Sequence, residues 1–161
     1  MRWSGWINID SADGWTTTGA RPDVHANITE LPYPDNHADA IAAIHVIEHF
    51  HMWQVPAILA EWKRVLKPGC ELILELPSME KVFKYINHVL ANNIPMSATF
   101  SFFPLWGDPK YKDERMMHKW GYFFHSLRVE LVKAGFTDVR PDKPRYHFPQ
   151  RDMRVLARKP C

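Results

Sequence analysis

Residues 38–46 (ADAIAAIHV) form a nearly unbroken apolar run of strand length, the pattern of a strand covered on both faces. The period then changes. Val55, Ile58, Leu59, Trp62, Val65 and Leu66 recur at the spacing of one helical face. Pro56 is tolerated in the first turn of such a helix, and Lys67-Pro68-Gly69 stops it. Residues 71–76 (ELILEL) alternate as a strand that closes at Pro77. A second helix is predicted with Val82, Phe83, Ile86, Val89 and Leu90 on its apolar face. A third runs from a cap at Ser126 through Leu127, Leu131 and Val132 to Gly135. Short strands are expected over residues 6–9, ending at Asp10, around 24–28, and late in the chain over 137–140 and 154–158. Residues 11–23 are rich in turn formers, and LPYPDNHAD reads as loop. Strands alternating with helices predict an α/β fold, a mainly parallel sheet with flanking helices.

At 161 residues the chain suits one domain spanning 1–161. Twenty Lys and Arg stand against 18 Asp and Glu, a net charge of +2. That balance gives no electrostatic signal for a nucleic-acid or membrane-surface partner. No apolar run approaches the ~18 residues of a membrane span, and MRWSGWINID has no apolar core of a secretory signal. With only Cys70 and Cys161, neither a disulfide framework nor a cysteine zinc site is available, and a reducing cytoplasm is the expected compartment.

Aromatic residues are unevenly spread. Phe100, Phe102, Phe103, Trp106, Tyr111, Trp120, Tyr122, Phe123 and Phe124 crowd into residues 95–124. An apolar connection of this length is either a functional lid or insertion lining a pocket, or an added patch of core.

The stretch LPYPDNHADAIAAIHVIEHF, followed by EWKRVLKPGCELILELPS, resembles class I S-adenosylmethionine-dependent methyltransferases of the type-11-like group. A weaker likeness continues through HKWGYFFHSLRVELVKAGFTDV. The resemblance implies a Rossmann-like sheet with S-adenosylmethionine lying across the carboxyl ends of its strands, the general ligand position in open α/β sheets. It implies methyl transfer to a small-molecule or glycan acceptor. Asp10 matches the acid that holds the ribose hydroxyls. Asn27-Ile28 fall where the family has Asp-Leu beside the adenine, and His45 matches the position facing the methionine end and the acceptor.

The departures matter too. Only nine residues precede Asp10, with Gly5 the sole glycine among them, so the family's first strand and Gly-rich turn are not expected there. That strand is the middle of the family's sheet. The expectation is therefore a methyltransferase-like domain without its first strand: either the true start lies upstream of Met1, or a partner chain or oligomer completes the sheet, or the fold is rebuilt around a gap. The alternative is a non-catalytic or partner-dependent remnant of the fold. Cys70 stands where the family has the second glycine of its K-P-G-G turn.

HVIEH, residues 45–49, also fits the H-x-x-E-H pattern of inverted zinc proteases. That chemistry needs His45 and His49 on one helical face, whereas His45 ends a strand-like run, so no metal is expected. His45, His49 and His118 are the candidates for taking a proton from an acceptor hydroxyl or amine. The basic residues between Arg140 and Arg158 read as a solvated face.

Overall fold

In the computed structural model, which describes residues 5–11, 21–95 and 102–161, the strands fall into two pieces of sheet. Two very short strands, β1 (Ile9–Asp10) and β2 (Val24–His25), pair in parallel by themselves. β3 (Ala38–Ile44) and β4 (Leu66–Pro77) also pair in parallel, joined by α1 (Val55–Val65), the crossover that the patterning predicts. The chain continues through α2 (Met79–Ala91), a single helical turn α3 (Phe103–Trp106), α4 (Phe124–Lys133), β5 (Thr137–Asp142) and β6 (Asp152–Arg158). The larger sheet has the order β3-β4-β6-β5. Phe100 and residues 12–20, most of the turn-rich stretch, lie outside the described residues.

Three strands of the larger sheet, β3, β4 and β5, run the same way as expected, and β6 alone is reversed, antiparallel to both β4 and β5. A direct loop joins β5 to β6, and only antiparallel neighbours can be linked without a crossover helix. α1 seals the core. Its Val55, Ile58, Leu59, Trp62 and Val65 are buried, and with Leu72, Leu74 and Leu76 of β4, Val155 of β6, and Leu127 and Leu131 of α4 they form one cluster.

Four expectations need correction. β3 is not covered on both faces: only Ala43 is buried, and among the described residues no strand pairs with its outer edge. Phe83 and Leu90, expected on the buried face of α2, are 45% and 60% exposed, because that helix inserts only Met79, Val82 and Val89. Ser126 is not the cap of α4 but lies inside its first turn, where its Oγ accepts from the Phe123 amide and donates back to the Phe123 carbonyl. β4 also begins earlier than ELILEL, taking in the K-P-G segment with Gly69 at a φ of +75°.

The loop before β3 is tied to α1 by one residue. Arg64 grips Glu61 with two hydrogen bonds of 2.7 Å, and its Nη1 donates to the Tyr33 carbonyl at 2.8 Å and to Asp35 at 2.9 Å. Glu61 in turn accepts from the Leu31 amide at 2.6 Å. The two stretches LPYPD and EWKRV are thus two sides of one fastening. No helix among the described residues is long and apolar enough to cross a membrane.

Candidate functional site at the carboxyl end of β3

β3 ends at Ile44, and the next residue turns sharply. His45 has a φ of +53°, a left-handed conformation rarely taken by residues other than glycine, while its amide still donates to the Glu75 carbonyl of β4 at 2.7 Å. The turn swings the chain into a short 3-10 helix, Ile47–His49. It also sets the imidazole between two carboxylates. Nδ1 lies 2.9 Å from Oε1 of Glu48, and Nε2 lies 3.2 Å from Oδ2 of Asp152. Glu48 and Asp152 are both buried.

Asp152, at the start of β6, is gripped by its neighbour: Arg151 donates to it through Nε at 2.6 Å and Nη2 at 3.0 Å. The Phe148 amide adds a third donor at 3.2 Å. Burial pushes the His45 imidazole down, yet its contacts with Asp152 and Glu48 outweigh this and bring it up to about 9. Burial pushes Asp152 up, and the bonds from His45 and Arg151 overcome it, leaving the carboxyl at about 2. Glu48 follows the same logic, with burial opposed and exceeded by its pairing with His45. At neutral pH the three form a buried set of charges, anion–cation–anion, and Arg151 balances it.

A second group of side chains lies against the first. The backbone carbonyl of Glu48 accepts from the amides of Lys119 and Trp120 at 2.8 and 3.2 Å, which clamps the aromatic segment onto this turn. His49 and His118 meet edge to face with ring centroids 4.9 Å apart. Nδ1 of His49 lies 3.1 Å from the Met117 carbonyl, and Nδ1 of His118 lies 2.9 Å from the Pro104 carbonyl. A carbonyl only accepts, so each Nδ1 carries a proton, which directs the lone pair of the neutral imidazole form to Nε2. Burial lowers the pKa of His118.

The aromatic segment is neither wholly core nor wholly surface. Tyr122 is fully buried and pairs beside Ser78, whereas Phe102, Trp106, Trp120 and Phe123 are exposed. Its path is fixed by Gly107, whose φ is +87°, and by the Phe124 amide donating to Glu80 at 3.1 Å.

Asp10 belongs to the smaller sheet, and Asn27 and Ile28 follow its second strand in the chain. Asp10 ends β1 half-buried, and its carbonyl accepts from the Ala26 amide at 3.1 Å. Asn27 is exposed, and its Oδ1 accepts from the Thr29 amide at 3.1 Å, closing a turn. Ile28 packs partly buried against the main core. The structure therefore collects His45, His49 and His118 in one place and sets Asp10, Asn27 and Ile28 in another.

Sequence reasoning undervalued Glu48, which it treated as a helix-capping polar residue. Arg151 reads from sequence only as part of a solvated basic face, and Asp152 has no sequence reading at all. HVIEH was a usable signal for Glu48. No local pattern marks Asp152, which lies 107 residues from His45.

The fold is thus a parallel β–α–β unit with charged groups at its carboxyl end, continued by an antiparallel last strand. Solved methyltransferase structures share it. Human N-acetylserotonin methyltransferase, solved in complex with S-adenosylmethionine, superposes with a TM-score of 0.55 at 13% identity, covering 86% of this chain and 33% of that one. A S-adenosylmethionine-dependent methyltransferase from Archaeoglobus fulgidus gives 0.58 at 17% identity, covering 89% and 70%. A chain of the complex between the Haloferax volcanii Trm112 methyltransferase activator and a methyltransferase gives 0.53 at 14%, covering 86% and 61%. The chain thus spans about a third of the human enzyme's length. No curated protein sequence matches it. Residues 10–74 match the methyltransferase domain model. That match covers less than half of the chain, and the likeness to the solved structures is one of fold.

Proposed function

We propose that this chain binds S-adenosylmethionine and transfers its methyl group to a small-molecule or glycan acceptor. The observation that carries the reading is the family match over residues 10–74; within that range Asp10 closes β1 and His45 directly follows β3. The residues suit the adenosine half of the cofactor. A carboxylate at a strand end accepts from both hydroxyls of a diol. Asn27 keeps a second lone pair on Oδ1 beyond the one given to Thr29, and Ile28 offers an apolar wall.

The bound cofactor supplies an electrophilic methyl on a sulfonium, so the protein's task is alignment and exclusion of water. His45 is protonated at neutral pH and therefore positions charge rather than accepting a proton. His49 and His118 present the open lone pairs on the acceptor side.

Calorimetric titration of the full chain with S-adenosylmethionine tests the reading. Saturable binding is expected, weakened in Asp10→Ala by about 1–3 kcal/mol, the scale of charge-assisted hydrogen bonds. Undiminished affinity in folded Asp10→Ala removes that residue from the site, and no binding at all removes the reading.

One observation favours a second reading, a partner-dependent domain. The outer edge of β3 has no strand partner among the described residues, and β1–β2 stands as a separate sheet. An added strand would satisfy both edges. Binding of the cofactor only by an oligomer or a mixed complex would select this form.

A further inference from the structure

We infer that Glu48, His49 and His118 form a binding site for a divalent transition ion of the zinc class, fastening the aromatic segment to the turn after β3. One donor atom from each of the three residues lies within 4.8 Å of the other two. A tetrahedral zinc ion with donors about 2.0–2.1 Å away holds them about 3.4 Å from one another, so small side-chain rotations complete the set.

Three further observations point to a cation. Both imidazoles give Nδ1–H to backbone carbonyls, those of Met117 and Pro104, which is the arrangement that orients metal-binding histidines and leaves Nε2 free. The Glu48 side chain is buried; its Oε1 has the charge of His45 Nδ1 at 2.9 Å, but neither oxygen has a hydrogen-bond partner among the described residues, and no ion pair reaches Oε2. A buried carboxylate in that condition is costly unless something else satisfies it. The Tyr122 hydroxyl is the other buried polar side-chain group left without a partner among the described residues. Two imidazoles and one carboxylate make a three-donor set that keeps a fourth position for water or an acceptor heteroatom.

This is not the zinc protease pattern in HVIEH. His45 is held by Glu48 and Asp152, and the second histidine ligand comes from 69 residues further along the chain than His49, through the segment clamped by Lys119 and Trp120. The inference does not depend on methyl transfer.

The test uses the full chain stripped of metal with chelator, then titrated with Zn²⁺ by calorimetry and with Co²⁺ by visible absorption. One Zn²⁺ per chain is expected, with the intense ligand-field bands of four-coordinate Co²⁺. His118→Ala, His49→Ala and Glu48→Gln should each abolish saturable binding, while His51→Ala retains it. The Co²⁺ spectrum of the unaltered chain reads the site even if a variant fails to fold. Absence of stoichiometric binding by the unaltered chain overturns the inference, as does binding that survives in folded His118→Ala.

Discussion

His45 and Asp152 stand 107 residues apart in sequence and 3.2 Å apart in space, Nε2 to Oδ2. The contact joins the end of the parallel half of the sheet to the start of its last antiparallel strand. It also makes stability depend on pH. The imidazole rises from an ordinary 6.5 to about 9 on folding, so its contribution is complete below pH 6.5 and fades as pH climbs through 9. Asp152 falls from 3.8 to about 2, so its contribution is complete above pH 3.8 and fades as pH drops through 2. Stability from this pair therefore peaks between about pH 4 and 6.5, with at most about 3 kcal/mol tied to the imidazole. Chemical denaturation across pH 5–10 should show the loss. Asp152→Asn should lower the His45 titration midpoint, followed by NMR, by about one unit or more.

The Arg64 fastening predicts a local effect. Arg64→Ala removes the donors to Tyr33, Asp35 and Glu61 at once. Amide exchange over residues 31–37 should quicken, while the amides of β4 keep their protection. Equal loosening in both places would show that Arg64 supports the whole core instead of the loop.

Two aromatic positions should respond oppositely. Trp62 is buried in α1, and Trp62→Ala should cost about 3–5 kcal/mol in denaturant unfolding. Phe83 on α2 is 45% exposed, and Phe83→Ser should stay within about 1 kcal/mol.

Gly107 tests how the aromatic segment is held. Its φ is +87°, and an added Cβ would collide with the Met116 carbonyl. Gly107→Ala should displace the path leading to His118, reducing Zn²⁺ affinity and quenching any change in Trp106 or Trp120 fluorescence on metal addition. Unaltered metal binding in the folded variant would show that the segment docks without this bend.

Addition of Zn²⁺ to the metal-free chain should raise its melting temperature by mass action, because the folded state alone gathers Glu48, His49 and His118. A thermal scan with and without chelator measures the difference.

Much of the architecture is legible in local patterning. The apolar run before His45, the helical period from Val55 to Val65, and the alternation in ELILEL are set by burial of one face or one stripe, and each becomes the element it announces. The likeness of LPYPD and EWKRVLKPG to a methyltransferase family is visible for the same reason, since loop and helix face each other through Arg64 and Glu61. What the sequence could not decide is where separately coded pieces meet. β6 reverses direction and brings Asp152 to His45; nothing local encodes that pairing. Phe83 and Leu90 fit an apolar face, but only packing decides how much of that face finds a partner. His49 and His118 look like isolated polar residues until the segment from Phe102 to Phe123 folds back over the end of β3. Their chemistry depends on distances across the chain, and those are fixed by tertiary packing and backbone hydrogen bonds rather than by residue type or spacing.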